Sequence, residues 1–313
     1  MSSPLETLAS VILPVFVVVG IGYLAAISRL ITETGFDQLM KFATNFAIPC
    51  LLFGAISTID ISASFGIAML GTFYGAASLG FVAGMLGARF LFARDWEDAV
   101  AIGFCTLYGN VMLVGLPITE RAYGGVALDS VYAILALHAP LCYLLGILVM
   151  EVVRNSGRGV LRTVGQVALG MLRNPIMLGI YAGFFANLTG LLLPDALDQA
   201  VDLLAQAALP AALFALGGIL YRYRPEGDLR LIGYIALLSL FVQPALTLGF
   251  ATLLRLELAQ LQGAVLAASV APGVNAYLFA NMYGRARRVA ASSVLLATAG
   301  SIVTIWLWLQ ILP

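Results

Sequence analysis

"FDQLMKFATNFAIPCLLFGA" (Phe36–Ala55) and "LDQAVDLLAQAALPAALFAL" (Leu197–Leu216) stand 161 residues apart in one chain. Asp37, Gln38, Ala47, Pro49, Leu52 and Phe53 in the first stretch recur as Asp198, Gln199, Ala208, Pro210, Leu213 and Phe214 in the second. The same offset carries Pro14 to Pro175 and Gly22 to Gly183. Tyr123-Gly124 reappears as Tyr283-Gly284, one residue out of that register. A single match could arise by chance. An ordered series of them marks an internal repeat.

The repeated unit is made of apolar spans. Of 313 residues, 61% are hydrophobic and 10% charged, with mean hydropathy +1.00. A soluble domain carries roughly 25% charged residues, so the chain reads as an integral membrane protein. Its zero net charge gives no field for nucleic acid. A crossing helix needs about 20 apolar residues. Ten stretches qualify, near 5–27, 36–56, 64–92, 97–122, 127–152, 175–193, 197–221, 229–254, 258–283 and 287–311. Two repeats of five spans each, 1–153 and 175–313, must lie in the membrane with opposite orientation, because five is odd. Inverted repeats of this kind typify secondary transporters, in which two pseudo-equivalent halves exchange conformations.

Between the halves, 154–174 reads as an amphipathic helix lying in the membrane interface. Val160, Leu161, Val164, Val167, Ala168, Met171 and Leu172 share one helical face, and Arg158, Arg162 and Gln166 fall elsewhere. Basic residues set the orientation. Arg29, Arg89, Arg94, Arg154, Arg222, Arg285 and their neighbours fall in one set of loops, and only Arg121 and Arg255 in the other. The positive-inside rule makes the first set cytoplasmic, which puts both termini outside the inner (plasma) membrane. "MSSPLETLAS" lacks a basic n-region, so the first span reads as a retained helix rather than a cleaved signal.

Functional candidates lie where spans are interrupted. "LYGNVMLVGLPITERAYG" (Leu107–Gly124) carries Asn110, Pro117 and an adjacent Glu120-Arg121 pair inside apolar sequence. The ninth span carries "SVAPGVNAYLFANMYG" (Ser269–Gly284), with Pro272, Gly273 and Asn275. Proline removes an N–H and clashes with the preceding turn, and glycine permits unusual backbone. Lipid cannot satisfy the freed groups, so such breaks face protein or a wet cavity. Each break exposes the N-terminus of a half-helix, which favours an anion. Asparagine can cap that terminus and can donate to a carboxylate. The plainer reading is that prolines in membrane helices often only kink them. Breaks in corresponding spans of both repeats favour the functional reading.

Other polar residues each have two readings. Lys41, one turn inside the second span, either snorkels or attracts substrate. Its repeat mate Asp202 falls in the opposite half of the bilayer, so the two should not pair. Asn45 and its mate Gln206 either line a cavity or bridge helices. Glu120 and Arg121 either gate the outer side or neutralise each other. His138, the only histidine, is either a packing residue or a proton relay. Cys50, Cys105 and Cys142 sit in apolar runs with no CxxC or metal spacing. A membrane hydrolase would need an acid pair, a Ser–His dyad or a metal cluster, and no such spacing is present. The chain is therefore expected not to be an enzyme and to need no cofactor.

"ILPVFVVVGIGYLAA", "FAIPCLLFGA", "GNVMLVGLP" and "APGVNAYLFANMYG" together resemble the auxin efflux carrier family, which includes plant PIN hormone exporters and bacterial carriers of malonate or related acids. The similarity runs along essentially the whole chain. It implies a ten-helix fold like the sodium–bile-acid symporters and sodium/proton antiporters. Helices 1, 2, 6 and 7 would form a scaffold, and helices 3–5 and 8–10 a transport domain in which helices 4 and 9 cross at their breaks. The resemblance places a carboxylate at the asparagine seven residues before the helix-4 proline, which is Asn110, with Asn275 in the corresponding break. It also implies a homodimer joined through scaffold helices. The expected function is secondary or facilitative transport of a small organic anion by an elevator-like exchange. The runner-up is a sodium-coupled bile-acid-type symporter.

Overall fold

The computed structural model describes residues 6, 8–154 and 160–313, with the backbone alone for 126, 160–164 and 167. In chain order its main helices are α1 (Leu8–Ile27), α2 (Glu33–Thr58), α3 (Ile67–Phe90), α4 (Trp96–Leu107), α5 (a π-turn, Val111–Gly115, running into an α-helix, Leu116–Tyr123), α6 (Gly125–Val153), α7 (Val160–Leu172), α8 (Pro175–Thr189), α9 (Asp195–Tyr221), α10 (Leu229–Leu253), α11 (Leu258–Ala268), α12 (Val274–Tyr283) and α13 (Arg287–Ile311). Among the described residues the protein is all helical, without a strand. Among the described residues seven helices are long and apolar enough to cross a membrane: α1, α2, α3 with the turn before it, α6, α9, α10 and α13. α8 and α11 are apolar but shorter. The fourth and ninth apolar stretches are each split, into α4 with α5 and into α11 with α12.

Helix ends fall where local chemistry puts them. The side chains of Thr32, Asp95, Asn174 and Asp228 accept N–H groups at the starts of α2, α4, α8 and α10. They satisfy donors that lack an intrahelical acceptor, each worth about 1 kcal/mol. Gly190 and Gly284, at φ +68° and +70°, close α8 and α12 in the left-handed region that glycine enters at no steric cost.

Prolines inside the helices follow a rule. Each of the four π-turns among the described residues, Leu8–Ile12, Ala43–Ala47, Val111–Gly115 and Leu238–Val242, is followed two residues on by a proline: Pro14, Pro49, Pro117 and Pro244. Proline cannot bond back one turn, and its ring collides with the carbonyl there. A widened turn moves that carbonyl away. Just before three of these prolines, Ile48, Leu116 and Gln243 donate five residues back, to Ala43, Val111 and Leu238. Pro140 and Pro210 sit within α6 and α9 without such a turn.

The chain divides into two compact units. One holds residues 14–64 and 167–222, and so most of α1 with α2, α8 and α9. The other holds 1–13, 65–166 and 223–313, with α3–α6 and α10–α13. In the first unit helices touch backbone to backbone. A Cβ on Gly22 would lie 2.0 Å from the Phe214 carbonyl oxygen, and one on Gly217 1.9 Å from that of Val19. Gly183, the repeat mate of Gly22, stands in the same relation to Phe53, the mate of Phe214, at 3.0 Å. The Arg222 guanidinium grips Asp37 with two hydrogen bonds, at 2.6 and 3.1 Å. The second unit is built around the two broken spans.

For the connecting segment, Arg158 and the side chains of Val160, Leu161, Arg162, Val164 and Val167 lie outside the described residues. α7 is a helix on which Gln166, Ala168 and Leu172 are exposed and Met171 is half-buried.

Candidate functional site

The two breaks hold each other. The Asn110 N–H donates to the Ala271 carbonyl and the Gly273 N–H to that of Tyr108, both at 2.8 Å. They flank an isolated antiparallel bridge between Gly109 and Pro272. In such a pair the N–H groups of the bridged residues point away from the partner. Pro272 has no N–H to strand, so proline fits there. A Cβ on Gly109 would lie 3.0 Å from a Val270 methyl, a tight contact that glycine avoids. Its carbonyl accepts from His138 Nε2 at 3.2 Å. Groups that lipid could not satisfy are thus paired across the crossing.

Four helix ends meet at this point. α4 and α11 finish there, and α5 and α12 begin there. The first bonds onto the starts of α5 and α12 are Val114 N–H to Asn110 O and Ala276 N–H to Gly273 O. The N–H groups of Val111, Met112 and Leu113, and of Val274 and Asn275, come before them. Such free donors and the aligned dipoles favour negative charge.

Asn110 is 6% exposed, and its Nδ2 is buried with no acceptor among the described residues. An unpaired buried donor costs roughly 1–3 kcal/mol. Asn110 stands at the cap position of α5, yet its side chain caps nothing. Asn275 differs. It is the second residue of α12, and the cap position belongs to Gly273. Its Nδ2 donates to the Tyr108 hydroxyl at 3.0 Å, and its Oδ1 accepts from the Tyr143 hydroxyl at 3.4 Å. The expectation of an asparagine cap at this break is corrected, because the chain is still extended at Gly273 and the asparagine falls a turn position too late.

Pro117 is also corrected as the mark of a break. The first break lies at Tyr108–Asn110, and Pro117 is buried inside α5 behind a π-turn. Glu120 and Arg121 do not neutralise each other: the Arg121 guanidinium donates to the Ser10 carbonyl at 2.7 and 3.1 Å. Adjacent helical residues point about 100° apart, which turns the two charges to different faces. His138 is buried against the rings of Phe73, Tyr74 and Tyr108, its centroid 4.5 Å from that of Tyr108. With Nε2 on Gly109 O and Nδ1 3.7 Å from Cys142 Sγ, both ring nitrogens are engaged. It holds the break's geometry, as a packing residue does. Lys41, Asn45 and Gln206 belong to the other unit and are exposed there. Lys41 joins no ion pair among the described residues, with Asp202 or otherwise.

Two features escaped the sequence reading. Tyr108 and Tyr143 look like ordinary aromatics in apolar runs, and only folding brings them to Asn275. Away from the crossing, charges tie the start of α4 to the ends of α6 and α12. Glu97 pairs with Arg154 at 2.9 Å and with Arg285 at 3.0 Å, and Arg285 reaches Asp95 at 3.2 Å. The Arg154 guanidinium lies 4.7 Å from the Tyr283 ring centroid and donates to the Tyr283 carbonyl. The hydrogen bond that Arg285 donates to Glu97, with the acidic groups around it, raises the pKa of Arg285. Singly such exposed pairs are worth up to about 1 kcal/mol; joined, they tie three helix ends. No His, Cys, Asp and Glu group that could hold a metal ion occurs among the described residues.

Known proteins carry the same sequence pattern. A family model described as "Membrane transport protein" matches residues 7–309. A protein of Rhizobium meliloti (strain 1021) named "Putative malonate transporter" is 29% identical over 314 residues, covering 95% of this chain and 93% of that one. The "Uncharacterized transporter YfdV" of Escherichia coli (strain K12) is 23% identical, covering 96% of both chains. A mouse "Lysosomal cholesterol signaling protein" is 25% identical over 228 residues, which is 69% of this chain and 26% of its own length. Apolar helices long enough to span, two mutually paired helix breaks and a family match along nearly the whole chain agree: the protein belongs to the membrane transport protein family, the auxin efflux carriers, and is an integral membrane transporter rather than an enzyme.

Proposed function

We propose that the protein carries a small organic anion, a carboxylate, across the cytoplasmic membrane, and that the anion sits at the helix crossing. The observation that carries this reading is the unpaired, buried Asn110 Nδ2 beside two half-helix N-termini. A carboxylate there would accept from that amide and from the free N–H groups of α5 and α12. Gly273 leaves room beside it, Pro272 and Pro117 fix the backbone on either side, and Asn275 acts through its N–H and its polar chain. The relative named for malonate supports a carboxylate.

The transport cycle in this proposal is an elevator-like exchange. The unit with α3–α6 and α10–α13 carries the site, and the unit with α1, α2, α8 and α9 is the scaffold and the seam of a homodimer. The division of the chain into those units supports the assignment. The reciprocal contacts of Gly22 with Phe214 and of Gly183 with Phe53 support ten crossings in two inverted repeats, 1–153 and 175–313, linked by 154–174. Both termini then lie outside, and a reporter active only in the cytoplasm should stay silent when fused after Pro313.

Exchange in proteoliposomes tests the proposal. External malonate should enter saturably and faster when malonate is loaded inside, and Asn110→Ala should reduce that flux. A linear flux indifferent to internal substrate would point to a channel. Uptake that required sodium would favour the bile-acid-type alternative.

A further inference from the structure

We propose that Tyr108 is a second substrate-contacting donor at the crossing, with Asn275 and Tyr143 behind it as positioning residues. The inference rests on the carboxylate reading above and adds a residue that neither the motifs nor the half-helix argument identifies.

The argument is a count of protons. Tyr143 donates its hydroxyl proton to Asn275 Oδ1, and Asn275 Nδ2 donates to the Tyr108 oxygen. The chain runs one way, from Tyr143 on α6 through Asn275 on α12 to Tyr108. At its end the Tyr108 O–H proton has no acceptor among the described residues. A phenolic hydroxyl both donates and accepts, and Tyr108 is buried, 8% exposed. Each donation strengthens the next when the last group meets a negative acceptor.

Place and rigidity agree with this role. Tyr108 and Asn110 flank Gly109, the bridged residue, so two uncommitted side-chain donors stand two positions apart at the crossing. A Cβ on Gly273 would lie 3.4 Å from Tyr108 Cδ1 and 3.5 Å from Asn110 Cα, so this glycine lies against both. His138 and Phe104 hold the Tyr108 ring, with centroids at 4.5 and 5.8 Å. A carboxylate has two oxygens, and Asn110 with Tyr108 offers one donor to each. The side chains of Tyr143 and Asn275 reach the ligand only through Tyr108, and they orient its hydroxyl.

Binding to purified full-length protein tests this, with malonate as probe and acetate and succinate beside it, read by calorimetry and by thermal shift. Tyr108→Phe keeps the ring and removes the hydroxyl, and with it the acceptor of Asn275 Nδ2. It should weaken malonate binding about 10-fold or more, with the ligand-free protein still folded and its melting point lowered by no more than the loss of that one hydrogen bond gives. Tyr143→Phe should weaken it about 3-fold. The double variant should bind like Tyr108→Phe alone, because Tyr143 acts only through that hydroxyl; a purely structural role would give additive losses. Wild-type affinity in Tyr108→Phe, with binding lost in Asn110→Ala, would remove Tyr108 and leave the crossing as the site. Normal binding in both variants, or no carboxylate bound by the wild type, would overturn the site reading as well. If Tyr108→Phe does not fold, Tyr143→Phe decides alone, and undiminished affinity there sinks the proposal.

Discussion

The unit built from α1, α2, α8 and α9 and the crossing in the other unit solve the same problem in opposite ways. Both must bury helix backbone in an apolar surround. The first keeps its helices continuous, removes side chains where they meet, and lets Gly22 and Gly217 bring backbones into contact. Packing of small residues is a main source of helix association in lipid. The crossing interrupts its helices and pairs the freed groups across the gap, at 2.8 Å on each side of Gly109 and Pro272. One arrangement leaves no room and, among the described residues, no buried side-chain donor without a partner. The other leaves Asn110 Nδ2 unpaired among the described residues, and its glycine, Gly273, stands at ordinary contact distance from Tyr108 and Asn110. Glycine therefore means backbone forced into contact in one place and ordinary packing distance in the other.

The same substitution should separate the two meanings. Gly217→Ala puts a methyl 1.9 Å from the Val19 carbonyl oxygen, where only backbone can yield. It should cost about 3 kcal/mol, read as lost folded yield and a large drop in melting point. Survival of this variant at wild-type stability would break the comparison. Asn110→Ala should act through function alone. Malonate affinity should fall about 10- to 150-fold, the worth of a hydrogen bond to a charged group. Ligand-free stability should stay level or rise, because a buried, unsatisfied donor is removed. A destabilised Asn110→Ala would mean that the amide holds the fold.

Gly273→Ala is the counterpart of Gly217→Ala. Its φ of −79° suits any residue, and the new methyl would meet its neighbours no closer than 3.4 Å. Stability should change by less than about 1 kcal/mol, while malonate binding weakens several-fold because the space is filled. Binding and stability falling together would return this glycine to the packing class. Pro117→Ala should have the smallest effect. The π-turn would no longer be imposed, so the start of α5 could rewind. Exchange rate should change more than affinity, and stability by about 0.5 kcal/mol or less. A large loss of affinity would restore Pro117 to the site itself.

Much of this was legible in the chain. Composition and span length made it a membrane protein, because long apolar helices satisfy their backbone bonds internally, as lipid demands. The matched prolines and glycines at a fixed offset gave the internal repeat, and Asn110 stood out as an amide in an apolar run. Those signals are local, or repeat at one spacing, so a sequence can display them. Three things needed the tertiary structure. Pro117 and Pro272 read alike on paper, yet one follows a π-turn inside a helix and the other bridges a break, because only Pro272 has an opposing backbone at Gly109. Asn110 and Asn275 also read alike, yet only Asn110 is unpaired, since hydroxyls from two other helices reach Asn275. The partners of that amide lie 167 and 132 residues away. Which donors remain free is decided by what the fold brings next to them, and no spacing along the chain records that.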